Sequence, residues 1–159
     1  MIHTKEPTNC FYVYLSAYRS MNDLSTNLKA HAKMAEWLGY QQYARDGVVV
    51  ESSDCVGFYR EQGNDWPTRE RSIRLKVACW AAVERIATIA HLEYNQEAVL
   101  VVNSQTHTAT FIEMSKQGFH VRCACSDTVG TFQRMPHDAN IEDVQGWTQD
   151  ENRNFWWIV

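Results

Sequence analysis

The sequence has no Gly-x-Gly-x-x-Gly run and no Gly-x-x-x-x-Gly-Lys run. The backbone cradles that hold phosphates in Rossmann and P-loop folds are therefore not indicated, and a methyltransferase with a glycine-rich first turn is disfavoured. There is no Gly-x-Ser-x-Gly elbow for a serine nucleophile. No apolar run approaches ~18 residues, so no membrane partner is expected. The amino-terminal residues are polar and lack an apolar h-region, so no signal peptide is expected. The six histidines are scattered, with no His-x-x-x-His and no Cys-x-x-Cys pair. No metal and no cofactor is expected on that pattern. Basic residues are also short: 15 Lys and Arg against 19 Asp and Glu, a net charge of −4 and a pI near 5.8. That excludes a broad basic surface for nucleic acid. It is also too mild for a protein that masks an enzyme by mimicking DNA.

What is present fits one domain, residues 1–159, with 45% hydrophobic residues to build a core. Five cysteines, an odd number, read as reduced thiols of a cytoplasm. Cys123-x-Cys125 would share a strand face and reads as packing, since no second pair completes a metal site. The run Arg69, Arg71, Arg74, Lys76 reads as a solvated strand face.

Residues 10–18 are aromatic and β-branched, a first strand. Residues 22–38 carry Leu24, Leu28, Ala32, Ala35 and Leu38 at helical spacing, with Asn22 or Ser25 as cap and Gly39 as stop. Strands follow at 47–60 and 70–77, separated by a Gly/Asn/Pro loop at 61–68. A second helix spans 79–94, and 97–103 reads as a buried strand. The order β-α-β-β-α-β is that of a ferredoxin-like α+β core. Residues 108–114 and 119–125 add a hairpin, and the loop-rich tail ends in an apolar Phe155-Trp156-Trp157-Ile158-Val159 that should be buried in the chain's own sheet or against another subunit.

Two segments carry polar groups where a core strand would not. Gly47-Val48-Val49-Val50 gives way to Glu51-Ser52-Ser53-Asp54, then to Gly57, Tyr59, Arg60 and Glu61, and across the loop to Pro67-Thr68-Arg69-Glu70. Strands that end at a ligand often change character in this way. Alternatively, Glu51, Asp54 and Glu61 are surface charges and Tyr59 a rim aromatic. The second segment, Asn103 to Ala109, offers consecutive hydrogen-bonding groups at a strand end. It is either a ligand contact or a polar turn with His107 exposed.

These segments resemble the small phage-encoded S-adenosylmethionine-degrading enzymes, the SAM lyase and SAM hydrolase family. The match starts at Met1-Ile2 and Thr4-Lys5-Glu6-Pro7 and runs through Phe11-Tyr12-Val13, Ser16-Ala17 and Arg19-Ser20. It includes Val50-Glu51-Ser52, Asp54, Gly57, Tyr59-Arg60-Glu61, Pro67-Thr68 and Glu70, then Val99-Leu100-Val101 and Ser104-Gln105-Thr106-His107-Thr108-Ala109. A weaker echo lies at Phe132-Gln133 and Pro136, and the region after 114 departs from the pattern. The resemblance implies a PII-like fold, a homotrimer with sites between subunits, and action in the cytoplasm of an infected bacterial host. It implies that the catalytic tyrosine and glutamate fall at Tyr59 and Glu70. The family often has an acidic pair after Pro-Thr, whereas this chain has Arg69-Glu70. Ser52, Asp54, Arg60, Ser104, Gln105, Thr106 and His107 are the substrate-binding candidates.

The implied substrate carries a sulfonium, which leaves as a neutral thioether and needs no general acid. Its own carboxylate can close a lactone on the γ-carbon, giving 5′-methylthioadenosine and L-homoserine lactone. Attack by water would give homoserine, the hydrolase outcome. A rival of another class is a PII-like regulator that binds the nucleotide or S-adenosylmethionine without consuming it.

Overall fold

The structure is a computed structural model. It describes residues 10–19, 21–41, 47–59, 68–96, 98–117, 120–140, 144 and 146–159, with the backbone alone at 41, 59, 115–117 and 120–127. In chain order the elements are β1 (Phe11–Leu15), α1 (Leu24–Gln41), β2 (Val48–Tyr59), β3 (Thr68–Val77), α2 (Trp80–Tyr94), β4 (Ala98–Asn103), β5 (Thr108–Gln117), β6 (His120–Arg134), β7 (Gly146–Gln149) and β8 (Phe155–Ile158). The strands close into a barrel in the order β1-β3-β2-β7-β8-β6-β5-β4, and each pairing is antiparallel.

The expected ferredoxin-like α+β core resembling trimeric PII proteins is thus overturned. The first six elements do follow the order β-α-β-β-α-β, but their sheet does not stay open. The reason lies in β1 and β4, which are apolar on both faces. Val13, Leu15, Val99 and Val101 pack with Met34, Leu38, Val83 and Ile86 of the two helices. On the opposite face, Tyr12, Tyr14, Leu100 and Val102 need a second apolar cover. Phe132 of β6 and Trp156 and Ile158 of β8 supply it. An open sheet with helices on one face would leave those rings in water. Curling the sheet buries them and removes its free edges.

Several boundaries move. Asp23 caps α1 by accepting the Thr26 N–H at 2.7 Å, in place of Asn22 or Ser25. The helix runs through Gly39, where an added Cβ would meet nothing within 4 Å. β6 continues to Arg134 instead of stopping near 125, and the tail forms β7 and β8. The apolar end therefore lies within the chain's own sheet. Of the Cys123-x-Cys125 pair only the backbone is described, opposite Met114 and Glu113 with a register irregularity between them. Of the expected loop at 61–68, Thr68 begins β3 and residues 61–67 fall outside the described residues. No helix among them is long and apolar enough to cross a membrane.

Candidate active site in the barrel lumen

Period-two alternation assigns each strand residue to the helix side or to the lumen. On β3 the buried Ile73, Leu75 and Val77 face the helices, so Thr68, Glu70, Ser72 and Arg74 take the other side. There, two cavities share Phe132 and Trp156 in their walls. These two rings are stacked at 5.7 Å with planes 6° apart, and Tyr14 meets Phe132 at 5.6 Å. An aromatic septum thus stands between the cavities, each contact worth ~0.5–1.5 kcal/mol beyond its buried area.

The first cavity, of about 340 Å³, is walled by Phe58, Leu100, Phe111, Phe132, Trp147 and Trp156, with Thr68, Thr148 and Glu70 as polar side chains. Among its described lining residues Glu70 is the single ionisable one. Burial pushes the Glu70 carboxyl above its usual range, and the Arg19 guanidinium pulls it partly back. Phe58 stacks on Trp147 at 5.1 Å, and the Arg69 guanidinium lies 5.6 Å from the Phe58 ring centre. The Trp147 indole N–H is buried and finds no acceptor among the described residues.

The second cavity, of about 370 Å³, is more polar. Tyr12, Tyr14, Glu51, Arg74, Ser104, His107, Asp150 and Glu151 are among its walls. Arg74 pairs with Glu151 at 2.8 Å and reaches the Cys55 sulfur at 3.7 Å. Burial works against the Arg74 charge. The Glu151 hydrogen bond, with Tyr14 and Cys55 nearby, outweighs it and holds the proton more tightly than usual. The same bond lowers the Glu151 carboxyl, whereas burial raises the Tyr14 hydroxyl and the Cys55 thiol. Glu151 sits on the β7–β8 hairpin loop, whose frame is set by Asp150. One Asp150 oxygen accepts the backbone N–H groups of Asn152 and Asn154, both at 2.9 Å, and the other accepts the Trp156 indole N–H at 3.0 Å.

The sequence candidates divide accordingly. Glu70 lines the first cavity; Ser104 and His107 line the second. His107 has φ of 58°, and its backbone carbonyl accepts the Phe132 N–H at 2.8 Å. Gln105 and Thr106 sit in the exposed turn, where the Asn103 side chain accepts their N–H groups at 2.9 and 3.1 Å. They line neither of the two cavities. Nor do Ser52 and Asp54, whose segment is an irregular stretch of β2. There the Ser52 hydroxyl accepts the Asp54 N–H at 3.1 Å, and the His31 ring contacts the Ser53 carbonyl at 2.9 Å. Tyr59, described in its backbone alone, ends β2 opposite Thr68, two positions from Glu70. Arg60 lies outside the described residues.

Arg74, Tyr14 and Glu151 are not among the substrate candidates of the sequence, and Glu51, weighed there as a surface charge, lines the second cavity. For Arg74 the signal was parity. Arg69 and Arg71 alternate with Ile73, but Arg74 alternates with Glu70, so the basic run spans two faces instead of one solvated face.

The chain matches the model of the S-Adenosylmethionine lyase family over residues 13–159. It is 34% identical over 161 residues to the S-Adenosylmethionine lyase of Enterobacteria phage T3, covering 99% of each chain. With a match of that length on both counts, the chain belongs to the S-adenosylmethionine lyase family.

Proposed function

We propose that the chain is an S-adenosylmethionine lyase that closes the substrate's carboxylate onto its own γ-carbon, releasing 5′-methylthioadenosine and L-homoserine lactone. The observation that carries this reading, beside the family, is the first cavity. It is an aromatic enclosure with one carboxylate, suited to a flat base and a positive charge. In the reaction a carboxylate oxygen forms a bond to the γ-carbon as the carbon–sulfur bond breaks. The electron pair leaves on sulfur, which becomes a neutral thioether. No proton moves, so no acid or base is needed.

Positioning is the main demand, and folding a substrate onto itself can lower a barrier by roughly 7–11 kcal/mol. Glu70 takes the α-ammonium by a charge-assisted hydrogen bond and offsets the sulfonium before reaction. Tyr59 acts near the sulfonium, where a cation–π contact is worth ~0.5–2 kcal/mol. Ser104 and His107, which line the second cavity beyond the aromatic septum, contact the polar part of the substrate. The largely aromatic wall offers few groups to orient an attacking water, which favours lactone over homoserine. The homotrimer rests on the resemblance alone, and sedimentation velocity on the purified protein tests it. The consequence we propose for the infected host is loss of cytoplasmic S-adenosylmethionine, which starves restriction and methylation.

The deciding experiment is turnover of S-adenosylmethionine in heavy-oxygen water with immediate product analysis. Unlabelled homoserine lactone is expected. Label in the first homoserine-level product would establish hydrolysis instead, and an intact nucleotide would point to a sensor.

A further inference from the structure

Glu70 and Arg74 share the lumen face of β3, four residues apart, or about 13 Å along the strand. Each belongs to a different cavity, and the cavities meet at Phe132 and Trp156. Among the described residues lining the two, Arg74 is the single Lys or Arg side chain. Its charge is already met by a carboxylate, but the two partners are unequally anchored. The Arg74 side chain is 16% exposed and projects from the middle of a strand; that of Glu151 is 35% exposed and stands on a loop. Asp150 makes the hydrogen bonds to Asn152, Asn154 and Trp156 that shape that loop, whereas Glu151, besides Arg74, meets the Cys55 thiol at 3.9 Å and its own backbone N–H. Glu151 can therefore swing away without unmaking the turn. A ligand carboxylate that took its place would leave no buried charge unpaired.

We propose that Arg74 is the receptor for the substrate's α-carboxylate and that Glu151 is a resident stand-in which the substrate displaces. The idea rests on the lyase reading above and deepens it. An amino-acid head group would then lie where the two cavities meet, beside the edges of Phe132 and Trp156, with Glu70 reaching its ammonium from one side and Arg74 its carboxylate from the other. Arg74 would hold one carboxylate oxygen and leave the other free to attack. A guanidinium suits the task because it keeps its charge and presents several donors in one plane.

The test compares two inhibitors of the full-length enzyme: S-adenosylhomocysteine, which has the carboxylate, and decarboxylated S-adenosylmethionine, which lacks it. Arg74→Met should raise the inhibition constant of the first by about tenfold or more and leave the second within about twofold. Glu151→Gln, which removes the competitor but keeps the shape, should bind S-adenosylhomocysteine several-fold more tightly. Equal losses for both inhibitors, no loss for either, or weaker binding in Glu151→Gln would overturn the proposal. If the wild-type protein leaves S-adenosylmethionine intact yet calorimetric dissociation constants of the same two ligands show this carboxylate-dependent pattern, the lyase reading falls and the Arg74 assignment stands. If it consumes S-adenosylmethionine without the pattern, the assignment alone falls.

Discussion

Burial raises the proton affinity of Glu70, and this has opposite effects on stability and on binding. A carboxyl whose folded pKa exceeds its unfolded value binds more protons when folded. Stability then falls as pH rises from the ordinary carboxylate range through the raised value. Glu70→Gln removes that penalty, so the variant should melt higher than wild type at pH 8, with the advantage vanishing at pH 3. It should also lose the charge-assisted bond to the substrate, lowering kcat/KM roughly ten- to a hundredfold. Thermal melts at the two pH values, beside initial rates, check both halves; unchanged turnover would remove Glu70 from the site. Single residues were unevenly legible. Glu70 stood out through the resemblance, and Ser104 and His107 through the polar run at a strand end. Arg74 did not, because its neighbours Arg71 and Lys76 are exposed and a run of charges looks like one surface.

Among the elements, β6 and the β7–β8 hairpin carry the most specific local requirements. Gly130 has φ of 146°, and an added Cβ would stand 2.6 Å from the Val159 carbonyl oxygen. That oxygen accepts the Thr131 N–H at 2.8 Å, so the neighbouring backbone has no room to yield. Gly130→Ala should cost about 1–3 kcal/mol, read as a lower urea midpoint. Asp150→Ala strands two backbone N–H groups and one indole N–H at the hairpin and should cost about 1–3 kcal/mol. It should also raise KM, since the loop would no longer hold Trp156 against Phe132 between the two cavities. The helices and first four strands were readable from periodicity. β7 is only four residues long, and nothing in a tail rich in loop residues announces its register.

For the molecule as a whole, the open sheet expected from element order gives way to a ring because of the second apolar face of β1 and β4. The pattern of 97–103 did signal burial on both sides. It could not say what covers the second face, since β6 and β8 come from residues distant in sequence. Removing residues 155–159 should therefore do more than shorten a tail. It would strip Trp156 and Ile158 from the lumen and leave β6 and β7 with open edges. The shortened protein should lose its cooperative urea transition and bind a hydrophobic dye.

The placement of β8 between β6 and β7 also sets a schedule for synthesis on the ribosome. β3 finds both its neighbours, β1 and β2, already made, but β1, β2, β4 and β5 each wait for a later strand, and β2 waits for β7, about ninety residues further on. Until the hairpin of residues 146–158 has been made, β2 and β6 are exposed templates for pairing with other nascent chains, and Phe132 has no Trp156 to stack on. The lumen, and with it the proposed site, is among the last parts of the molecule to come into existence.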